Sequence, residues 1–124
     1  MLEEIRAYCL NKPFTTEGFP FDETTLVFKV HNKMFALFGL ENNPLRINLK
    51  CHPEKALELR VEYTQVLPGY HMNKKHWNTI TIEDLPLSLV QQWIDESYQL
   101  VWDGLPKKLK KTIQYLKHYK DTSS

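Results

Sequence analysis

The sequence predicts an α+β fold of two layers, in which helices cover one face of an antiparallel sheet of about five strands. The first observation is a series of strand-like segments between residues 15 and 50 with no helical segment among them, an order that favours antiparallel pairing. The second is the position of the helix-period apolar patterns, at both ends of the chain and before the last strand. A length of 124 residues with 42% hydrophobic side chains suffices for a core of its own.

The N-terminal segment predicts a short amphipathic helix and then an irregular strand. Apolar side chains recur at helical spacing over residues 2–11, and Pro13 ends the pattern. Residues 15–22 contain a glycine and a proline, so we expect a first strand that runs into a turn.

The next segments predict a tight hairpin and a further strand. Residues 25–30 and 33–38 are rich in β-branched and aromatic side chains, and only His31 and Asn32 separate them. Residues 45–50 alternate apolar and polar side chains, which predicts a half-exposed antiparallel strand. The side chains expected to face the core are Leu45, Ile47 and Leu49.

A second helix and a fifth strand complete the predicted sheet layer. Pro53 begins the helix, which extends to about residue 61. A loop through Pro68 and Gly69 leads to the strand over residues 77–82. The helix side chains expected to be buried are Ala56, Leu57 and Leu59.

Two helices are predicted after this strand. The longer begins at Pro86 and ends at Gly104. Its apolar stripe consists of Val90, Trp93, Ile94, Tyr98 and Val101. Leu105 and Pro106 begin the last helix, which carries six lysines over residues 107–120 opposite an apolar stripe. That stripe consists of Leu105, Leu109, Ile113 and Leu116.

Domain organisation and compartment follow from composition. We expect one domain over residues 1–120 and a disordered tail over residues 121–124, because no linker or repeat interrupts the chain. No stretch resembles a signal peptide or a membrane span, so a cytoplasmic protein with no membrane partner is expected. Cys9 and Cys51 belong to no metal-binding spacing and are expected to be buried thiols. We therefore predict neither a metal nor another cofactor.

The formal charge of +1 is unevenly distributed along the chain. Residues 1–103 hold 10 basic and 14 acidic side chains, which give a net charge of −4. Residues 104–124 hold 6 basic side chains and 1 acidic side chain, which give a net charge of +5. The C-terminal end is therefore the basic pole.

Residues 70–79 concentrate cations, imidazoles, rings and amides immediately before a predicted strand. Such a set can bind phosphate oxygens while an aromatic ring stacks on a base. The alternative is structural, with Tyr70, Met72 and Trp77 packed in the core and the lysines solvated. The candidate phosphate contacts are Asn73, Lys74 and Lys75, and the candidate stacking ring is Tyr70 or Trp77.

The pattern His-x-Asn-Lys-x-His-Trp over residues 71–77 resembles the signature of the MmcQ/YjbR family of small bacterial proteins. Other segments fit the family in the same order, and they are Cys9-Leu-Asn-Lys-Pro13, Lys33-Met-Phe-Ala36, Ile47-Asn-Leu-Lys50 with Pro53-Glu54, Ser97-Tyr98 and Leu105-Pro106-Lys107. The resemblance implies a two-layer fold similar to frataxin (CyaY-like) and secretion-chaperone-like domains. It also implies a DNA-binding role through a double wing, in which β-hairpins flank a helix. The family pattern corresponds to His71, Asn73, Lys74, His76 and Trp77, which with Lys75 are the candidate nucleic-acid-binding residues.

Three functions are compatible with these residues. The first is a monomeric protein that binds double-stranded DNA, with further phosphate contacts from Lys107, Lys108, Lys110 and Lys111. The second is a protein-interaction or small-ligand-binding module without catalytic activity, which uses the exposed sheet face or a groove beside residues 70–78. The third is an enzyme with His71 or His76 as a general base. It is disfavoured because no nucleophile motif, glycine-rich phosphate loop or metal triad accompanies the histidines.

Overall fold

The computed structural model describes residues 1–112, in which helices cover one face of a single six-stranded sheet. The α+β class and the antiparallel sheet are confirmed. In chain order the elements are α1 (Leu2–Leu10), β1 (Thr15–Gly18), β2 (Thr25–Val30), β3 (Lys33–Gly39), β4 (Arg46–Lys50), α2 (Pro53–Glu62), β5 (Val66–Pro68), β6 (Trp77–Thr81) and α3 (Leu87–Asp103). Residues 107–112 are also helical.

The sheet has one strand more than the sequence predicts. Its strand order is β1-β2-β3-β4-β6-β5, with every pair antiparallel. The additional strand is β5, which pairs Val66 with Ile80 at the edge of the sheet. Only three residues long and ending in a proline, β5 is too short to show a period of two, so the sequence pattern does not reveal it.

The predicted hairpin between β2 and β3 is confirmed. His31 and Asn32 both adopt positive φ, at 43° and 65°, as a two-residue turn that matches the twist of the strands requires. The pairing register shifts between Phe28 and Lys29, so one strand carries an extra residue there. Both Phe28 and Val30 still face the core, and Lys29 between them lies on the opposite face.

The main core lies between the sheet and the helices, and α3 is its largest contributor. The predicted stripe of α3 is confirmed, since all five of its residues are buried. Ser97 on the same helix face is fully buried. Its Oγ donates to the carbonyl oxygen of Phe35 at 2.6 Å and accepts from the backbone nitrogen of Lys50 at 2.8 Å. One hydroxyl therefore ties α3 to both β3 and β4.

Polar contacts fasten α1 to α3. The Tyr8 hydroxyl lies 2.7 and 2.9 Å from the two carboxylate oxygens of Asp95. Lys12 forms an ion pair with the same carboxylate. The Tyr98 hydroxyl donates to the carbonyl oxygen of Pro13 at 2.6 Å. The N-terminal helix and the turn after it are therefore held on the helix-covered face.

Two burial predictions are wrong. Leu57 is 59% exposed, because α2 turns it outward on the same side as Val61 while Ala56 and Leu59 face the core. Cys51 is only partly buried, whereas Cys9 is buried as expected. Both thiols are free.

Several C-terminal predictions lie outside the described residues. They concern Ile113, Leu116, the lysines at 117 and 120, and the tail over residues 121–124. Gly104 follows the last residue of α3 as predicted, with a right-handed φ of −80°. None of the helices described is long and apolar enough to cross a membrane.

The opposite face of the sheet, here called the open face, carries a smaller apolar cluster. Its buried members are Val27, Leu37 and Trp77, and two methionines, Met34 and Met72, pack against them. Within residues 1–112, every helix that contacts a strand packs on the other face, so a loop rather than a helix covers this cluster. The predicted segment 70–79 supplies that loop.

Candidate functional site

The loop between β5 and β6 is fixed to the open face by backbone contacts at its start. The amide of Gly69 donates to the carbonyl oxygen of Trp77 at 2.8 Å. The amide of Tyr70 donates to Thr79 Oγ1 at 2.9 Å. A Cβ on Gly69 would lie 2.9 Å from the Trp77 Cβ, closer than packed carbon atoms approach. The glycine therefore permits the loop to lie directly on the sheet.

Two residues of the predicted motif shape this loop. The side-chain oxygen of Asn73 accepts from the amide of Lys75 at 2.9 Å, and its carbonyl oxygen accepts from the amide of Trp77 at 3.0 Å. The Lys74 ammonium donates to the carbonyl oxygen of Gly69 at 3.0 Å. Asn73 and Lys74 thus hold the loop closed, although both remain exposed enough to touch a ligand.

Arg60 of α2 clamps the other end of the loop, a role that sequence patterns do not reveal. Its Nε donates to Asn78 Oδ1 at 2.7 Å, and its Nη2 donates to the carbonyl oxygen of Lys74. Asn78 is 1% exposed, and its amide donates to the carbonyl oxygen of Ala56 at 3.4 Å. A planar fork with several donors is suited to bridge two acceptors in this way.

Trp77 is not available to stack on a base, so that part of the nucleic-acid prediction is wrong. Its indole is 8% exposed and packs with Val27 and Leu37 beneath the loop. His76 beside it is partly buried, and its carbonyl oxygen accepts from the amide of Cys51 at 2.7 Å. The structural alternative therefore describes Trp77 and Met72, which pack in this cluster, but not Tyr70, which it placed in the core and which is 69% exposed.

Two of the motif residues, His71 and Asn73, border a groove of about 630 Å³ on the open face. The loop contributes one side of this groove through Tyr70, His71, Met72 and Asn73. The strands beneath contribute Thr25, Met34, Leu37, Gly39 and Asn48. The other side comes from two turns, through Phe21, Asp22, Thr24, Glu41 and Asn42. Of the six predicted binding residues, only His71 and Asn73 line it.

Two aromatic rings on opposite sides of the groove are exposed. Tyr70 is 69% exposed and Phe21 is 64% exposed. The Tyr70 ring lies 4.0 Å from the imidazole of His71, and His71 adopts a φ of 58° that few side chains tolerate. Both rings are therefore accessible to a ligand in the groove.

The charged side chains that line the groove are acidic. They are Asp22 and Glu41, and neither a lysine nor an arginine among the described residues lines it. The Asp22 carboxylate accepts from the amides of Thr24 and Thr25 at 2.9 and 2.7 Å. These hydrogen bonds hold the pKa of Asp22 below its usual value, so the group is ionised at neutral pH.

A separate set of cations occupies the part of the open face nearest the β2–β3 turn. Lys50 pairs with Trp77 and Lys29 with Met34, so alternation places both lysines on this face. Lys74 and Lys75 lie on the loop that leads into Trp77, the pairing partner of Lys50. The ion pairs found within residues 1–112 involve none of the four lysines. Lys29 and Lys50 were not among the predicted binding residues, although each occupies an outward position of its strand.

The four predicted phosphate contacts after α3 do not line the groove. Lys107 and Lys108 are exposed, and the Lys110 ammonium donates to the carbonyl oxygen of Asp103 at 3.3 Å. Like Lys111, they follow α3, which packs on the helix-covered face. The structure therefore brings none of them into the site.

Comparison with protein families gives one match, to the family described as YjbR, over residues 10–100. Among curated proteins, Uncharacterized protein YbdF of Escherichia coli O157:H7 is 36% identical over 113 residues, which cover 90% of this chain and 93% of that protein. Uncharacterized protein YjbR of Escherichia coli strain K12 is 32% identical over 116 residues, 93% of this chain and 98% of that protein.

Solved structures show the same fold. A crystal structure of a Deinococcus radiodurans protein with a DUF419 domain superposes with a TM-score of 0.87 at 39% identity, over 92% of this chain and 88% of that chain. A crystal structure of a protein from Pseudomonas syringae gives a TM-score of 0.69 at 27% identity, over 80% of this chain and 97% of that chain.

Proposed function

The chain belongs to the YjbR family, and from the geometry of its open face we propose that it is a small-ligand-binding module whose site is the groove beside residues 70–73. The observation that carries the proposal is the cavity itself. Its volume of about 630 Å³ lies within the range of roughly 300–1,000 Å³ that is typical of small-molecule sites. Apolar side chains of the strands and a few polar groups of the turns converge on it, as in such sites.

The fixed loop supports a binding role. The hydrogen bonds of Gly69 and Tyr70 hold the groove side of the loop in place before any ligand arrives, and the clamp from Arg60 holds its other end. A site that is ordered in advance loses less conformational entropy on binding. Exposed rings at the rim can then contact a ligand without rearrangement of the backbone.

Binding without catalysis is part of this proposal. A general base requires an orienting partner as well as a suitable pKa. Among the described residues, His71 makes no side-chain hydrogen bond to a carboxylate, and its nearest aromatic neighbour is Tyr70. We therefore assign His71 to ligand contact.

A fragment screen by NMR tests the proposal. The ¹H–¹⁵N spectrum of the full chain is recorded with neutral, cationic and anionic fragments at millimolar concentration. Binding in the groove predicts shift changes that cluster at the amides of Thr25, Leu37, Asn48 and residues 70–73. A screen that leaves these amides unchanged, with no other cluster on the open face, would exclude a ligand site there.

DNA binding is a second candidate, favoured by the cluster of Lys29, Lys50, Lys74 and Lys75. In this proposal the β2–β3 and β5–β6 hairpins act as the two wings and contact phosphates, which fix position without reading sequence. Buried Trp77 supports the lysine surface from beneath and contacts no base. A cytoplasmic location belongs to the same proposal and stays a prediction.

Titration with a duplex of about 20 base pairs at several salt concentrations tests this second candidate. Four phosphate contacts predict an affinity that falls about a hundredfold between roughly 50 and 200 mM salt. The double variant Lys74→Ala/Lys75→Ala should weaken binding and reduce the dependence of the affinity on salt concentration. Lys107→Ala/Lys108→Ala is the matched control. If the protein does not bind the duplex, or if the two double variants have equal effects, the DNA proposal is wrong and ligand binding in the groove remains the proposed function.

A further inference from the structure

We propose that the ligand of the groove is a small organic cation, in which an ammonium or guanidinium group is attached to an apolar body. This inference rests on the proposed ligand-binding function and adds the chemical class of the ligand. It follows from the charges, the rings and the shape of the groove.

The first argument is electrostatic. Asp22 and Glu41 line the groove, and no lysine or arginine of residues 1–112 lines it with them. An anionic ligand would meet two like charges at short range, whereas a cation would be attracted to both. Lys29 and Lys50 lie toward the β2–β3 turn. Lys74 and Arg46 lie closer, beside Tyr70 and Asn48, but neither lines the groove.

The second argument is that both carboxylates retain acceptor capacity. Asp22 Oδ1 accepts from the amides of Thr24 and Thr25, and among residues 1–112 Oδ2 accepts only from Thr25 Oγ1, at 3.1 Å. A carboxylate has about four lone-pair directions, so one of Oδ2 remains for a ligand. Glu41 takes part in none of the side-chain hydrogen bonds or ion pairs found within residues 1–112.

The third argument concerns the rings. Tyr70 and Phe21 stand exposed on the two sides of the same groove. Aromatic faces attract ammonium and guanidinium groups through the ring quadrupole. Rings together with carboxylates select a cation over a neutral molecule of the same shape, while the apolar side chains of Met34, Leu37 and Met72 are available for an alkyl body.

A matched pair of compounds tests the inference. N-acetylarginine methylamide carries a guanidinium, and N-acetylcitrulline methylamide replaces it with a neutral urea of nearly the same shape. We expect the arginine compound to shift the groove amides and to bind about tenfold more tightly than the citrulline compound. The preference should decrease with added salt.

A variant separates the charge effect from the rest of the site. Glu41→Gln should reduce binding of the arginine compound several-fold and leave the citrulline compound unchanged, while Glu83→Gln, which alters an exposed acid outside the lining, should alter neither. Equal affinities of the two compounds in the wild-type protein, or an unchanged ratio in Glu41→Gln, would overturn the cation inference. Neutral or anionic fragments would still be able to bind in the groove under either outcome, so the proposed function would stand.

Discussion

The backbone amide of Tyr70 donates a hydrogen bond of 2.9 Å to Thr79 Oγ1, and through it the loop that borders the groove is fastened to the middle of β6. The same hydroxyl donates to Asn48 Oδ1 on the neighbouring strand. One threonine therefore connects an exposed ring at the rim of the site to two strands of the sheet. Both the order of the loop and the shape of the groove depend on this contact.

Replacement of Thr79 by valine should loosen the loop while the fold persists. Thr79→Val keeps the shape of the side chain but leaves the Tyr70 amide without its acceptor. We expect a loss of about 1–2 kcal/mol in the free energy of unfolding and faster amide exchange over residues 70–73. Urea denaturation and hydrogen–deuterium exchange measure the two effects.

Thr81→Val is the control for that experiment. Thr81 lies on the same strand and face, and its hydroxyl makes none of the side-chain hydrogen bonds found for Tyr70 or Asn48. The substitution should change the free energy of unfolding by less than about 0.5 kcal/mol. If the amides of residues 70–73 exchange as slowly in Thr79→Val as in Thr81→Val, the loop is held by other contacts.

Ser97→Ala should be among the more destabilising conservative substitutions of α3. The change leaves both the Phe35 carbonyl oxygen and the Lys50 amide without their partner inside the protein. We expect a loss of about 1–3 kcal/mol, measured by urea denaturation, because buried polar groups without partners are costly. Ser88→Ala, at an exposed position of the same helix, should cost less than about 0.5 kcal/mol. Equal effects at the two positions would refute the bridging role of Ser97.

Arg60→Lys should destabilise the protein even though it preserves the charge. A lysine ammonium lacks the planar fork that reaches both Asn78 Oδ1 and the Lys74 carbonyl oxygen. The expected cost is about 1–2 kcal/mol in thermal or urea unfolding, with altered NMR shifts at Lys74 and Asn78. At exposed Arg46 the same substitution should have little effect. If Arg60→Lys unfolds at the same temperature or urea concentration as the wild type, a positive charge at residue 60 is sufficient to hold the loop.

Burial raises the pKa of the Cys9 thiol to about 12, so the folded protein opposes its ionisation. The unfolded chain ionises this thiol near its ordinary value of 9.0. Burial of the neutral Cys9 thiol therefore stabilises the folded protein fully below pH 9. This stabilisation is lost as the pH rises toward 12, because the thiol of the unfolded chain ionises first. Alkylation at pH 9 should modify partly exposed Cys51 first and Cys9 only as fast as the protein opens. Mass spectrometry of the labelled peptides would show the reverse order if Cys9 were accessible.

The strand hairpin and α3 could be predicted because each follows from local patterns. Residues 25–38 contain two strand-like runs and a two-residue loop, and the stripe of α3 repeats at helical spacing over several turns. Leu57 was misassigned because α2 is short, with apolar residues on more than one side. Its outward direction depends on how α2 packs against β5, which no local pattern contains.

The binding groove could not be predicted from spacing, because three separate segments border it. Residues 21–25, residues 41–42 and residues 70–73 meet only after the sheet has formed. The residues of the motif near Trp77 serve different purposes in the structure. Trp77 and Asn73 shape the loop, while His71 faces the groove. Residue types alone do not distinguish these roles.

The most direct test of the proposed function is a crystal structure of the protein with the strongest fragment from the NMR screen. The account predicts electron density for the fragment between Tyr70 and Phe21, above Leu37, with its cationic group near Glu41 or Asp22. Density confined to the smaller pocket between α2 and α3, beside Lys55 and Glu96, with the groove empty, would contradict it.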